Sequence, residues 1–185
     1  MNCAMENYLY QTIANKNRHN VESIAPFQCS KSTAWLGKGY YFWDTFIELA
    51  KEWGERVYRN NYIICKTYAT YSEEEILDFV GNTTQILDLK NITLRLEKTY
   101  QTKLTIPFVI NYIRKTPHFS YKAIRILSQE TFSNLTSYKR FFREGKNACF
   151  NLCPSIQWCV IDKSILKLPV VVEYCSSDEC NVECI

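Results

Sequence analysis

Gly37-Lys38-Gly39 runs straight into Tyr40-Tyr41-Phe42-Trp43, and an amphipathic segment opens immediately after it. Two glycines one residue apart let the backbone turn where a side chain would obstruct it. Four consecutive aromatics then read as a strand. Phe46, Leu49, Ala50, Trp53 and Val57 follow at i, i+3, i+4, i+7 and i+11, the spacing of one apolar helix stripe. Thr45 with Glu48 three residues on fits a capping box, and Asp44 favours the same helix end. The sequence thus predicts a glycine turn, an aromatic strand and a capped helix in immediate succession.

The remaining elements follow from periodicity. Residues 8–13 (YLYQTI) read as a first strand, and residues 14–34 as mixed and polar with a helical turn near Val21 to Ile24. Residues 61–71 are β-rich, and residues 76–80 add a short strand. Residues 82–101 carry Ile86, Leu89, Leu96 and Tyr100 near one helical face. Residues 105–115 repeat a helical pattern, with Pro107 tolerated in its first turn. Strands are expected at 121–127, 156–161 and 168–174, with 128–154 the longest irregular stretch. Strands near both ends, helices between them and no regular βα alternation argue for an α+β fold.

Length and composition narrow the class. A chain of 185 residues with 46% hydrophobic residues, five Gly and five Pro is expected to form one folded domain, residues 1–174, followed by a Cys-rich tail at 175–185. No apolar run approaches a membrane span, and the N-terminus lacks a basic region leading into an apolar run, so a cytoplasmic protein is expected. The net charge of +3 is too mild to argue for nucleic acid. The nearest approach to a basic stripe is Lys139, Arg140, Arg143 and Lys146, interleaved with Phe141 and Phe142, and such a run ordinarily reads as a solvated face.

Nine cysteines are present. Several lie in apolar runs, where a thiol behaves as a small hydrophobe. Cys149/Cys153 and Cys180/Cys184 have loose metal-ligand spacing, but His19 and His118 complete no ligand set, so no metal site is expected. No Cys has a recognisable His partner, which argues against a nucleophilic thiol. The sequons at Asn82, Asn91 and Asn134 matter only in a secretory compartment.

The segment Leu36 to Asp44 resembles the NAD-site strand of the ADP-ribosyltransferase family, which in its poly(ADP-ribose) polymerase-like branch reads G-K-G-x-Y-F-x-D before a helix. Small bacterial toxin-like members pair a Y-H-G-T first strand with L-G-x-G-x-Y-F, then V-R-x-x-F, then H-x-Q-[IV]-x-V. Tyr10-Gln11-Thr12-Ile13, Ile124-Arg125-Ile126-Leu127 and Ser155-Ile156-Gln157-Trp158-Cys159-Val160 stand in that order here. The resemblance implies a split, highly curved pair of antiparallel sheets with flanking helices and a central cleft. It implies mono-ADP-ribosyl transfer from NAD⁺ to a macromolecular acceptor, protein or nucleic acid, by an intracellular toxin or defence effector held in check by an inhibitory antitoxin, with no membrane involved.

By that resemblance Tyr41 stacks on nicotinamide, Gln11 holds the ribose, and Gln157 orients the reacting ribose or the acceptor. Tyr10, Thr12, Ser30, Gly39 and Trp53 complete the cofactor contacts, with Trp53 the second aromatic wall and Lys38 a further loop contact. Glu130, just past the third motif, would face the acceptor. Two positions depart from the pattern: Gln11 replaces the usual His, and Gln157 stands where chain-elongating members carry Glu. A neutral amide supplies neither a negative charge nor a general base, which argues against chain elongation. The same departures fit two other readings, a non-catalytic module that binds NAD⁺, ADP-ribose or a partner protein, and an NAD⁺ hydrolase.

Overall fold

A computed structural model describes residues 4–16, 20–59, 61–128 and 138–176. The order of elements is β1 (Met5–Ala14), α1 (Val21–Ile24), β2 (Gln28–Cys29), β3 (Gly39–Asp44), α2 (Ile47–Tyr58), β4 (Tyr62–Tyr71), β5 (Ile76–Phe79), α3 (Thr83–Tyr100), α4 (Ile106–Arg114), β6 (Ala123–Leu127), β7 (Lys139–Phe141), β8 (Cys149–Asn151), β9 (Ile156–Val160) and β10 (Val171–Cys175). The fold is α+β. One eight-stranded sheet runs β10-β4-β1-β3-β9-β6-β5, with β2 beside β3, and β7 and β8 form a separate hairpin.

The sheet has a narrow waist. β1 pairs with β4 from Met5↔Tyr71 through Ala14↔Tyr62, yet meets β3 only at Leu9↔Asp44 and Tyr10↔Trp43. Beyond that point the same edge of β3 is taken by β2, through Gln28↔Tyr40 and Cys29↔Gly39. A β10-β4-β1 half and a β3-β9-β6-β5 half therefore diverge from two residue pairs. The sheet curves so that both halves contribute to one inner core: Leu9, Ala69 and Tyr71 from the first, Phe42, Ala123, Trp158 and Val160 from the second. Because side chains alternate across a strand, Tyr10 and Trp43 point outward, into a cluster with Leu49 and Ala50 of α2. On the other half Ile124 and Cys159 point outward to Ile110 of α4.

Several expectations need correction. Not all strands are antiparallel: β5 and β6 run parallel, from Ile76↔Ala123 to Phe79↔Ile126. The helices α3 and α4 between them supply the long crossover that a parallel pair requires. The stretch expected as a long loop contains the β7–β8 hairpin. Cys175, expected in the tail, and Ser176 belong to the sheet: Cys175 pairs with Ile63 and the Ser176 N–H donates to the Tyr62 carbonyl. Cys175 is disulfide-bonded, unlike the free Cys29, Cys65, Cys149, Cys153 and Cys159. No described helix is long and apolar enough to cross a membrane.

The capping box at Thr45 and Glu48 does not form. α2 is capped at Phe46 without a side-chain bond, and Thr45 adopts φ 60°. Its hydroxyl instead donates to the Asp44 carboxylate at 2.6 Å. That carboxylate is turned into the inner face, where other donors hold it, so it is not offered to the helix N-terminus.

Gly39 packs directly against β9. A Cβ there would run into Cys159 Sγ and the Val160 carbonyl oxygen. Gly39→Ala is expected to destabilise the protein by roughly 1–3 kcal/mol, the usual range for overpacking a tight site. Urea unfolding measures it, and an unchanged midpoint would refute the close approach.

Candidate functional site

β3 carries the glycine–aromatic motif, and its outward residues Tyr41 and Trp43 stand on the same face as their β9 partners Cys159 and Gln157. Tyr41 is half-buried and its hydroxyl is fully engaged. It accepts the Leu36 N–H and donates to the Gly37 carbonyl, each at 2.8 Å. Burial pushes the phenol well above its ordinary pKa, so it remains protonated and able to donate. From the other side Arg114 donates to the carbonyls of Leu36 at 2.6 Å and Lys38 at 2.8 Å. The turn at Gly37, with φ 82°, is thus pinned between a phenol and a guanidinium. The ring of Tyr41 packs with Leu36, Ile110 and Cys159, on the α4 side of the sheet.

Gln157 occupies the seam between the outer clusters. Its register neighbours are Trp43 on β3 and Ile126 on β6. Trp43 belongs to the cluster under α2, whereas Ile126 belongs to the cluster under α4. The side chain is 8% exposed, and its Oε1 has no hydrogen-bond partner among the described residues. An acceptor left orphaned in this way costs about 1–3 kcal/mol of desolvation. Trp43 and Trp53 face each other with ring centroids 6.1 Å apart and planes at 59°. The structure thus groups one unsatisfied amide oxygen with a buried Trp, a half-buried Trp and, two register pairs along on the same face, Tyr41. In the sequence Trp43 is only the last aromatic of its strand; its pairing with Gln157 is visible once β3 and β9 are aligned.

The first motif behaves differently. Gln11 is 5% exposed and lies on the inner face with Leu9, opposite to Trp43 and Gln157. Its Nε2 donates to the carbonyls of Phe27 at 2.9 Å and Tyr41 at 3.2 Å, while its Oε1 accepts the Phe27 N–H at 2.7 Å. The amide bridges the opening between the halves, and both of its ends are held by backbone. Gln11 thereby braces β1, β3 and the segment before β2. Tyr10 and Thr12 do share the outer face, but Tyr10 is buried in the α2 cluster and the Thr12 hydroxyl donates to the Ala50 carbonyl at 2.7 Å. Ser30 and Lys38 are exposed on the connection leading into β3, and Gly39 is packed against β9. Glu130 lies outside the described residues. A surface depression lined by Leu94, Lys98 and Gln101 contains none of these groups.

The inner face holds a polar node that the sequence reading missed. The Asp44 carboxylate, 2% exposed, accepts from Arg125 Nε at 2.8 Å, Trp158 Nε1 at 2.9 Å, Asn7 Nδ2 at 2.9 Å and the Thr45 hydroxyl. Arg125 also reaches Asp78 at 3.3 Å, and Tyr71 donates to Asn7 at 2.7 Å. Asp44, Arg125 and Trp158 come from the second, third and fourth motif segments, so three of the four meet at one carboxylate. A charged residue inside the apolar strand Ala-Ile-Arg-Ile-Leu was the available signal, since buried charge demands a partner.

Burial pushes the Cys65 thiol up to about 12 and those of Cys153 and Cys159 up to about 11, so none of the three is a thiolate nucleophile at neutral pH. No family model matches the chain, and neither the curated proteins nor the solved structures contain a significant match to it.

Proposed function

We propose that this chain is an ADP-ribosyltransferase-like domain that transfers a single ADP-ribose from NAD⁺ to a macromolecular acceptor. The observation that carries the reading is the orphaned Oε1 of Gln157, buried beside Trp43 on the face that Tyr41 shares. An unsatisfied buried acceptor calls for a ligand donor, and the ribose hydroxyls of NAD⁺ are donors of that kind. The narrow-waisted, curved sheet and the glycine turn before β3 support the same reading.

In the reaction the bond between the ribose C1′ and the nicotinamide nitrogen breaks, and the electron pair leaves with nicotinamide. The acceptor's nucleophile forms the new bond to C1′, and its proton goes to solvent. Gln157 orients a ribose hydroxyl and withdraws no proton, because an amide has no titrating group. Trp53, half-buried beside Trp43, supplies a flat wall for nicotinamide. Catalysis then rests on positioning, and a single transfer is the expected product because no carboxylate stands at Gln157 to activate an ADP-ribose hydroxyl for elongation.

One observation favours a second reading. With the Gln11 amide held by backbone, the first-motif position offers no free group to the ribose, as expected of a module that binds NAD⁺ or ADP-ribose without turnover. NAD⁺ labelled at the adenylate phosphate, incubated with the protein and a lysate, separates the two. Transfer predicts macromolecular label that falls at least about tenfold in Trp53→Ala. A rise in melting midpoint with NAD⁺, without label or released nicotinamide, selects the binding module. Nicotinamide release without incorporated label indicates hydrolysis, and no response to NAD⁺ at all overturns the assignment.

A further inference from the structure

Among the described residues the β7–β8 hairpin stands apart from the main sheet, its strands paired with each other through Lys139↔Asn151, Arg140↔Phe150 and Phe141↔Cys149. Its root is fixed. The Leu152 N–H donates to the Tyr138 carbonyl at 3.0 Å, and Tyr138 and Cys153 pack in the cluster of Trp43 and Leu49. Its stem is not covered by the described residues: Phe141 is 63% exposed, Phe142 72% and Phe150 56%. Solvating three large rings on so short an element is unfavourable, and single exposed apolar residues are the ordinary case rather than clusters of them.

Register sorts these side chains. Phe150 lies directly opposite Arg140, and Phe142, two residues on from Arg140, shares their face. Phe142 and Phe150 are then diagonal neighbours, about 7–8 Å apart along the ribbon. The opposite face carries Lys139 and Phe141, and Arg143 and Lys146 flank the turn at Gly145, with Glu144 the only acid between residues 139 and 151. The hairpin is thus a ribbon of aromatic rings edged by four cations.

We propose that this hairpin binds single-stranded nucleic acid, with bases stacking on Phe142 and Phe150 and phosphates pairing with Arg140, Arg143 and Lys146. Flat rings next to cations match a ligand that alternates π-faces with anionic groups. An anionic membrane fits less well, because the tip, Arg143-Glu144-Gly145-Lys146-Asn147, is polar and the rings sit on the stem, so the hairpin lacks an apolar end to insert. The inference does not depend on the transferase reading, and the hairpin's function is measured without NAD⁺.

The test is fluorescence anisotropy of a labelled oligouridylate with the full chain, in parallel with co-sedimentation on phosphatidylserine-containing vesicles. Phe142→Ala/Phe150→Ala is expected to weaken oligouridylate binding at least about tenfold, given the usual worth of a base–aromatic stack. Phe142→Leu/Phe150→Leu, which keeps apolar bulk but removes the π-faces, is expected to weaken it similarly and guards against a folding artefact. Arg140→Gln/Arg143→Gln/Lys146→Gln is expected to lower the slope of log affinity against log salt by about 2, at about 0.7 per neutralised phosphate contact. Vesicle binding in place of oligouridylate binding overturns the proposal. So does the absence of both, or oligouridylate binding that both Phe variants leave unchanged.

Discussion

Asp44→Ala is expected to destabilise the protein by about 3–5 kcal/mol, the range found when one partner of a buried ion pair is removed. The carboxylate is 2% exposed and holds four donors, so its loss strands the Trp158 indole N–H, which is fully buried, together with much of the Arg125 guanidinium. For a domain of this size the melting midpoint should fall by on the order of 10 °C. Arg125→Met should be costly alone but less costly in the Asp44→Ala background, because the second change removes the charge that the first left unpaired. A double-mutant cycle measures this coupling, expected at about 1–3 kcal/mol. Additive losses would mean that Asp44 and Arg125 stabilise the fold independently and that the node is not one unit.

This node explains why the motif segments combine as they do, irrespective of chemistry. Asp44 ends β3, Arg125 lies in the middle of β6 and Trp158 in the middle of β9, and one carboxylate fixes the order β3-β9-β6. The three segments on the inner face are tied together there, while their outer face presents Tyr41, Trp43 and Gln157. Alternation across the strand divides the motifs into one residue set that ties the strands together and another that faces outward.

Local signals in the sequence were legible wherever a single element decided the outcome. The stripe Phe46, Leu49, Ala50, Trp53 shows α2 directly, and the periodicity of residues 82–101 shows α3. What failed needed a second segment. Thr45 looks like a cap until Arg125 and Trp158 draw Asp44 inward. That Gln11 and Gln157 stand on opposite faces likewise shows only in the register, since one residue of displacement moves a side chain to the other face. The β7–β8 strands are three residues each, too short for a period to emerge, and the parallel β5–β6 pair depends on where a crossover returns rather than on either strand's composition. That Gln157 lies on a strand is readable from its apolar neighbours Ile156 and Trp158. The absence of a partner for its oxygen is not, because it is a property of the neighbours Trp43 and Ile126.

Gln157→Leu is expected to raise stability and remove function together. Leu has similar volume and lacks the orphaned oxygen, so replacing it should recover about 1–3 kcal/mol of desolvation and raise the urea midpoint. If Gln157 orients the ribose of NAD⁺, the same change should lower turnover by about 10²–10³-fold, the usual loss for a single orienting hydrogen bond in a buried site, and abolish the rise in melting midpoint caused by NAD⁺. Opposite signs for the two effects are diagnostic, because a core amide with a structural partner loses stability on replacement and a solvated surface amide changes neither quantity. A destabilised Gln157→Leu variant would show that the oxygen is satisfied within the protein, and a stabilised variant with normal NAD⁺ response would move the ribose contact elsewhere on the outer face. The combination of gained stability and lost turnover is expected only of a group kept in an unfavourable state so that a ligand can complete it.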